Sequence, residues 1–363
     1  MKTVRITGAV MTHPAREPRA RELAALLALD RVVLDPFPDR GPSPLRTSLA
    51  GWGSIPEGPT HQLLVQDDVE APASLLAQLA PVVRRRPDSA LVFYANWDSR
   101  NGAMTRLAAL AGAAWARAVP EEYTPTLAVL LPTALAREYV SHARAEQSGT
   151  DDEALAAFLR ATGRSALISV PHLVEHLGDE SLVGNEVQGI RRSACYVPEP
   201  GAADGLVGGW TLDRVDYLPY MRFGLAHLLV DVVRDGRRRR EHLRWQDALA
   251  AEDRLTDRLA ACAEEGRRTA EHVRTAALFG PALAAELWTH CLLIGWQLDR
   301  ISERRTGGDA LGADTAARRL IRARALSTIG PAALPPERRG ALTRDERELL
   351  TGLAERAVAA WRP

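Results

Sequence analysis

From the N-terminus to about residue 200 the chain repeats one pattern: a short, continuous apolar run, then a longer segment whose apolar residues recur every three or four positions. Runs that are apolar at every position have no face to give to water, so they read as strands buried on both sides. The segments between them read as the helices that cover those strands. Val4, Ile6, Val10 and Met11 carry the first strand, which stops at Thr12-His13-Pro14. Leu23, Leu26 and Leu27 then mark one face of a helix, and Arg31 to Asp35 (RVVLD) forms a second strand ended by Pro36 and Pro38. Further strands are expected at 63–65, 90–94, 127–131 and 166–170, with helices at 73–83, 104–117 and 152–160. Such alternation predicts an α/β domain whose mostly parallel sheet is flanked by helices.

Beyond residue 210 the texture changes to long amphipathic segments with few strand signals. Leu283, Leu287, Cys291, Ile294, Leu298 and Ile301 succeed one another at steps of three or four and share one helical face. The expected organisation is therefore an α/β domain over 1–200 and an α-helical domain over 210–363, separated by the Pro- and Gly-rich stretch 198–209. The helices would complete an acceptor site, form a homodimer interface or buttress the sheet, and the pattern leaves these three open.

Hydrophobic residues at 46% supply a core for both parts. Forty-six basic residues balance forty-six acidic ones, so no global field draws the chain to nucleic acid or to an anionic membrane. The run Arg237 to Arg240 reads as a solvated helix end or turn; no aromatic residues interleave it for base stacking, and no nucleic-acid partner is expected. Cys195, Cys262 and Cys291 form no CxxC pair and read as free thiols. The N-terminal MKTVRITGAVMTHP lacks the apolar stretch of a signal peptide, and no run is long enough to span a bilayer, so a soluble, cytoplasmic protein is expected.

The most informative segment is THQLLVQDDVEAP, residues 60–72, in which an apolar strand ends abruptly in Gln66-Asp67-Asp68. Ligands of open α/β sheets bind beyond the carboxyl ends of the strands, so paired acids there face the expected site. Acids so placed suit a hard divalent ion, which one or two carboxylates hold while leaving positions for phosphate oxygens. The alternative is that Asp67 or Asp68 caps the following helix. Two further acids, Asp151 and Asp152, open a later helix, where they cap its amides or act as a base.

The strand-then-QDDV segment resembles the DxD-type metal motif of GT-A-fold, family 2-like glycosyltransferases, with Gln66 in place of the usual first acid. The resemblance implies that Asp68 holds Mn²⁺ or Mg²⁺ and that Gln66 and Asp67 contact the donor's ribose or sugar. VMTHPAR, residues 10–16, is similar to the family's nucleotide-gripping loop, which implies donor contacts from Thr12, His13 and Arg16. It places Asp35 near the base or ribose, although Asp35 before Pro36 also suits a turn. FYANWDSRNG, residues 93–102, resembles a pocket-building loop, with Asn96 toward the donor and Trp97 read as packing.

Residues 150–185 resemble the later part of such domains. Asp151 and Asp152 then supply the base of an inverting reaction, Asp151 capping the helix and Asp152 reaching into the pocket or the reverse, and the Pro171-to-His176 segment brings His176 as a further metal ligand, with His172 structural. Residues 181–196, with Gly184, Gly189, Arg191 and Arg192, resemble a loop that closes over the donor, its arginines matching phosphate oxygens. The implied partners are a nucleotide-sugar, first a UDP-sugar, and an acceptor that the sequence does not identify. The signatures of dinucleotide-binding, P-loop, zincin and GxSxG hydrolase sites are absent. Two alternatives stay open: a nucleotidyltransferase, or a degenerate transferase that binds nucleotide-sugars or a partner, for which Gln66 speaks.

Overall fold

The computed structural model describes residues 3–146, 149–178, 189–199, 201–235, 237–305 and 315–361. Two compact units emerge. The first comprises residues 1–96, 113–187 and 196–212; the second comprises 97–112, 188–195 and 213–363.

The elements of the first unit begin with β1 (Ile6–Thr12), α1 (Glu17–Leu26), β2 (Arg31–Leu34), α2 (Pro44–Gly53), β3 (His61–Gln66), β4 (Val69–Glu70), α3 (Leu75–Arg85) and β5 (Ala90–Val92). After α4 (Arg100–Leu110), which belongs to the second unit, come β6 (Trp115–Arg117), β7 (Ala128–Pro132), α5 (Thr133–Glu146), α6 (Asp151–Ala161), β8 (Ala166–Ser169), β9 (Glu175–His176), α7 (Asp204–Gly208) and β10 (Thr211–Leu212). Eight strands form one sheet in the order β10-β6-β8-β5-β7-β3-β1-β2. β2, β1, β3, β5 and β8 run one way, while β7, β6 and β10 run against them. The sheet is thus mixed and mostly parallel, as the continuous apolar runs require: Leu63, Val65, Leu91, Leu130 and Ile168 are wholly buried.

Both faces are covered. Ala20, Leu23 and Ala24 of α1 pack with Leu75, Leu79, Val82 and Val83 of α3 on one apolar cluster. Trp52 of α2, Leu135 and Tyr139 of α5, and Leu155 and Phe158 of α6 form the other. Burying large apolar side chains in this way stabilises the sheet by about 1.5–3 kcal/mol for each. Leu26, expected on the packed face of α1, is 55% exposed, because α1 ends there and the chain turns away.

Two further expectations are corrected. The alanine-rich segment 104–117 is not one helix: α4 stops at Leu110, Gly112 takes φ +75°, and Trp115–Arg117 is a strand. A left-handed position that only glycine adopts without strain ends the helix there. Nor is the chain beyond 210 purely helical. It opens with a three-stranded antiparallel sheet of β11 (Tyr217–Arg222), β12 (Leu225–Arg234) and β13 (Arg237–Arg244), so the arginine run begins an edge strand rather than ending a helix. Charged side chains on an edge discourage pairing with another sheet.

Helices follow: α8 (Trp245–Ala248), α9 (Asp253–Gly266), α10 (Ala270–Phe279), α11 (Pro281–Arg304), α12 (Ala316–Ser327), α13 (Ile329–Ala333), α14 (Pro336–Arg339) and α15 (Arg344–Ala360). The expected face of α11 is buried at Leu287, Cys291, Ile294, Leu298 and Ile301, and Trp288 and Leu292 on its other sides are buried as well. No helix among the described residues is long and apolar enough to cross a membrane.

Candidate functional site

The chain leaves β1, passes over one face of the sheet in α1 and enters β2. It then crosses the other face in α2 and enters β3 on the far side of β1. The carboxyl ends of β1 and β3 therefore lie where the connections diverge, the topological switch point at which open α/β sheets bind ligands. Thr12, His13 and Arg16 stand at the end of β1, and Gln66, Asp67 and Asp68 at the end of β3.

Direct contacts tie these two strand ends together. The Thr12 hydroxyl donates to Asp67 Oδ2 in a short hydrogen bond, and Arg16 Nη1 lies 3.5 Å from Asp67 Oδ1. Burial raises the Asp67 carboxyl, and the neighbouring Asp68 charge adds to it, against the Thr12 and Arg16 contacts. His13 plays a local part: its Nδ1 accepts from the Ala15 amide at 3.2 Å and caps the short turn 14–16. The helix-cap alternative for the acid pair does not hold. β4 intervenes, and Ser74 occupies the cap position of α3.

Asp68 meets His176 because β4 and β9 pair antiparallel, Val69 opposite His176, with the Leu177 amide donating to Asp68 O at 2.9 Å. His176 Nε2 is 3.3 Å from Asp68 Oδ2, and its ring is almost wholly buried. Its Nδ1 accepts from the Gly178 amide at 2.9 Å, which puts the ring proton on Nε2, facing Asp68. A metal ion on Nε2 would require a ring stripped at both nitrogens, whereas metal-bound histidines donate from the other nitrogen. His176 thus faces Asp68 through Nε2 and orients it, with Nδ1 taken by the Gly178 amide. Among the described residues no group of three or more His, Cys, Asp or Glu side chains is placed to hold a metal ion.

Gln66 links this edge to α6. Its amide nitrogen donates to Thr126 Oγ1 at 3.2 Å and to Asp151 Oδ2 at 3.3 Å. Asp151 is buried, and its carboxyl is pushed up to about 6 by that burial and then by the Asp152 charge. Asp152 lies in the first turn of the helix instead, its Oδ1 accepting from the Glu153 amide at 2.8 Å and from the Thr150 hydroxyl. The two acids divide the work, one buried in the network and one holding the helix end.

The other expected residues have separate surroundings. Asp35 is buried and gripped by Arg46, whose Nε and Nη2 each lie 2.6 Å from a carboxylate oxygen. Burial alone would raise its carboxyl, but the Arg46 and Phe37-amide hydrogen bonds outweigh that and hold it below the usual range. Asn96 is buried beyond the end of β5. Arg191 and Arg192 belong to the second unit, where the Trp97 amide donates to Arg192 O at 2.8 Å. Gly184 and the rest of 181–188 lie outside the described residues; Gly189, at φ +64°, sits where a Cβ would press on Pro336 O at 2.7 Å. Trp97 packs, as expected, against Ala194 and Ala332. His172 is fully buried, and segment 171–176 is extended rather than helical.

Two contributors escape a reading of the sequence. Thr126 precedes β7 in an otherwise ordinary TPT turn, and Tyr94 sits with its ring centroid 6.2 Å from that of His172 and 6.5 Å from that of His176. Neither residue type at these positions signals a site until strand order is known. No family model and no curated protein matches the chain.

Proposed function

We propose that the chain transfers a sugar from a nucleotide-sugar, with a UDP-sugar the first donor to test, to an acceptor hydroxyl with inversion, assisted by Mn²⁺ or Mg²⁺, and that its first unit is a GT-A-like domain. One observation carries this reading: two adjacent carboxylates, Asp67 and Asp68, end a central strand at the switch point of the sheet. Asp68, oriented by His176, would hold the ion. When bound, the ion neutralises the diphosphate as it leaves. Arg16 brings a cation within reach of the same edge and Thr12 fixes Asp67. Asp151, with a carboxyl that ionises near 6 and a hydrogen bond to Gln66, is suited to take the acceptor's proton at neutral pH.

A thermal-shift screen of nucleoside diphosphates, with and without Mn²⁺, tests the reading, because a ligand that binds the fold raises its stability with the logarithm of concentration over Kd. Stabilisation by at least one diphosphate only when Mn²⁺ is present, and its loss in Asp68→Asn, is expected. Equal shifts in the variant, or none in the wild type, would refute it.

A further inference from the structure

We infer that one corner of the second unit docks on a bilayer surface bearing anionic headgroups, with the ring of Phe223 inserted at the boundary of the acyl chains. Phe223 and Gly224 are the two residues that join β11 to β12. Both take positive φ, +51° and +72°. Two-residue hairpin loops with that sign pattern favour Asn, Asp or Gly at the first position, because a Cβ crowds the backbone there and a bulky side chain suits it least. Phe223 is also 89% exposed. Turn geometry and water therefore both disfavour the ring at this position, and its burial in a partner offsets the two costs.

The ring does not stand alone. Gly224 lies against the first turn of α11, where a Cβ would come within 3.5 Å of Leu283 Cδ1, and the Ala226 amide donates to Glu286 Oε2 at 2.8 Å. Leu225 beside the tip, Leu278 just before α11, and Pro281 and Ala282 at its start are exposed. An exposed apolar patch of this kind marks contact with a membrane or with another protein. The charges around it decide between the two. Arg222 stands over the Phe223 ring and Arg338 over that of Phe279, their guanidinium carbons 5.1 Å and 5.6 Å from the centroids. Both arginines are exposed, whereas Glu286 is already engaged by Arg244 and the Ala226 amide. Across a two-fold axis the patch of one copy would meet the same patch of the other and bring these arginines together. Anionic headgroups pair with such a rim while the acyl boundary takes the ring. The equal numbers of acids and bases describe the chain as a whole, and this cation-rimmed corner is local.

Sedimentation of the full chain with vesicles of phosphatidylcholine alone, and of phosphatidylcholine mixed with phosphatidylglycerol, tests the docking. The wild type should pellet with the mixed vesicles, less so as added salt screens the headgroups, and not with phosphatidylcholine alone. Phe223→Gly should bind the mixed vesicles more weakly by on the order of tenfold or more. It should melt no lower than the wild type, since glycine adopts positive φ without strain. Phe223→Trp should bind as the wild type does and show fluorescence quenching by brominated acyl chains beyond that of the wild type. Equal binding by the wild type and Phe223→Gly, no pelleting of the wild type with the mixed vesicles, equal pelleting with both kinds of vesicle, or no added quenching in Phe223→Trp overturns the docking. A dimer in sedimentation velocity that Phe223→Gly dissociates would assign the corner to a second copy and overturn it as well.

Discussion

At the scale of single residues, Asp151 is a side chain whose burial costs the fold stability at neutral pH. Its carboxyl ionises near 6 in the folded chain and near 3.9 in an unfolded one. Between those values the folded state holds a proton that the unfolded state has released. Its contribution to stability is thus complete below about pH 4 and lost as pH rises through about 6. The lost part is on the order of 3 kcal/mol. Asp151→Asn keeps an acceptor for Gln66 and removes the charge, so its melting temperature relative to wild type should be more favourable at pH 7 than at pH 4. A difference that stays constant across that range would show that Asp151 ionises as freely as an exposed acid. Turnover should fall by about 10² to 10⁴ in the same variant if Asp151 takes the acceptor's proton.

At the scale of elements, α6 owes part of its start to Asp152. A carboxylate in the first turn satisfies an amide that has no partner within the helix and complements the positive end of its dipole. Asp152→Ala should cost about 1 kcal/mol while leaving nucleotide affinity unchanged. Turnover lost to the extent expected of Asp151→Asn would reverse the division of labour between the two acids. Elements also differ in how legible they are in the sequence. β3 and its Gln66-Asp67-Asp68 ending stand out because an apolar run broken abruptly by acids marks the end of a buried strand. The strand Trp115–Arg117 is hidden by helix-forming alanines on both sides of Gly112, although a glycine there is a stop signal. β12 and β13 are obscured because the arginines of β13 suggest a solvated turn, while Phe223, Gly224 and Asp235, all at positive φ, mark the turns of hairpins. His176 looks like a ligand in the sequence because the tautomer of a histidine depends on its neighbours, and only the fold brings the Gly178 amide to its ring.

At the scale of the whole molecule, single buried groups in the two units contribute to the pH dependence in opposite senses. The first carries Asp67 and Asp151, whose raised carboxyls favour the fold as pH falls. The second carries His290 on α11, buried and kept neutral, its ring pushed down to about 3 by burial and then by the Arg106 charge. An unfolded histidine protonates near 6.5, so the stability from neutral His290 is full above that value and is lost as pH falls toward 3. Urea unfolding followed by tryptophan fluorescence should show His290→Gln losing less stability than wild type between pH 7 and pH 4; equal losses would mean that His290 is open to water. The site, unlike this pH balance, is partly legible from the sequence: strand ends name Thr12, Asp67 and Asp68, but the Gln66–Asp151 contact spans eighty-five positions and requires the order of the strands.

The most direct measurement of the central claim is the rate at which nucleoside diphosphate is released from a panel of nucleotide-sugars by the wild type and by Asp68→Asn, with Mn²⁺ and with the metal chelated. The account predicts slow, metal-dependent release from at least one donor by the wild type and its loss in Asp68→Asn. No release from any donor, or release at equal rates in the two proteins, would contradict it.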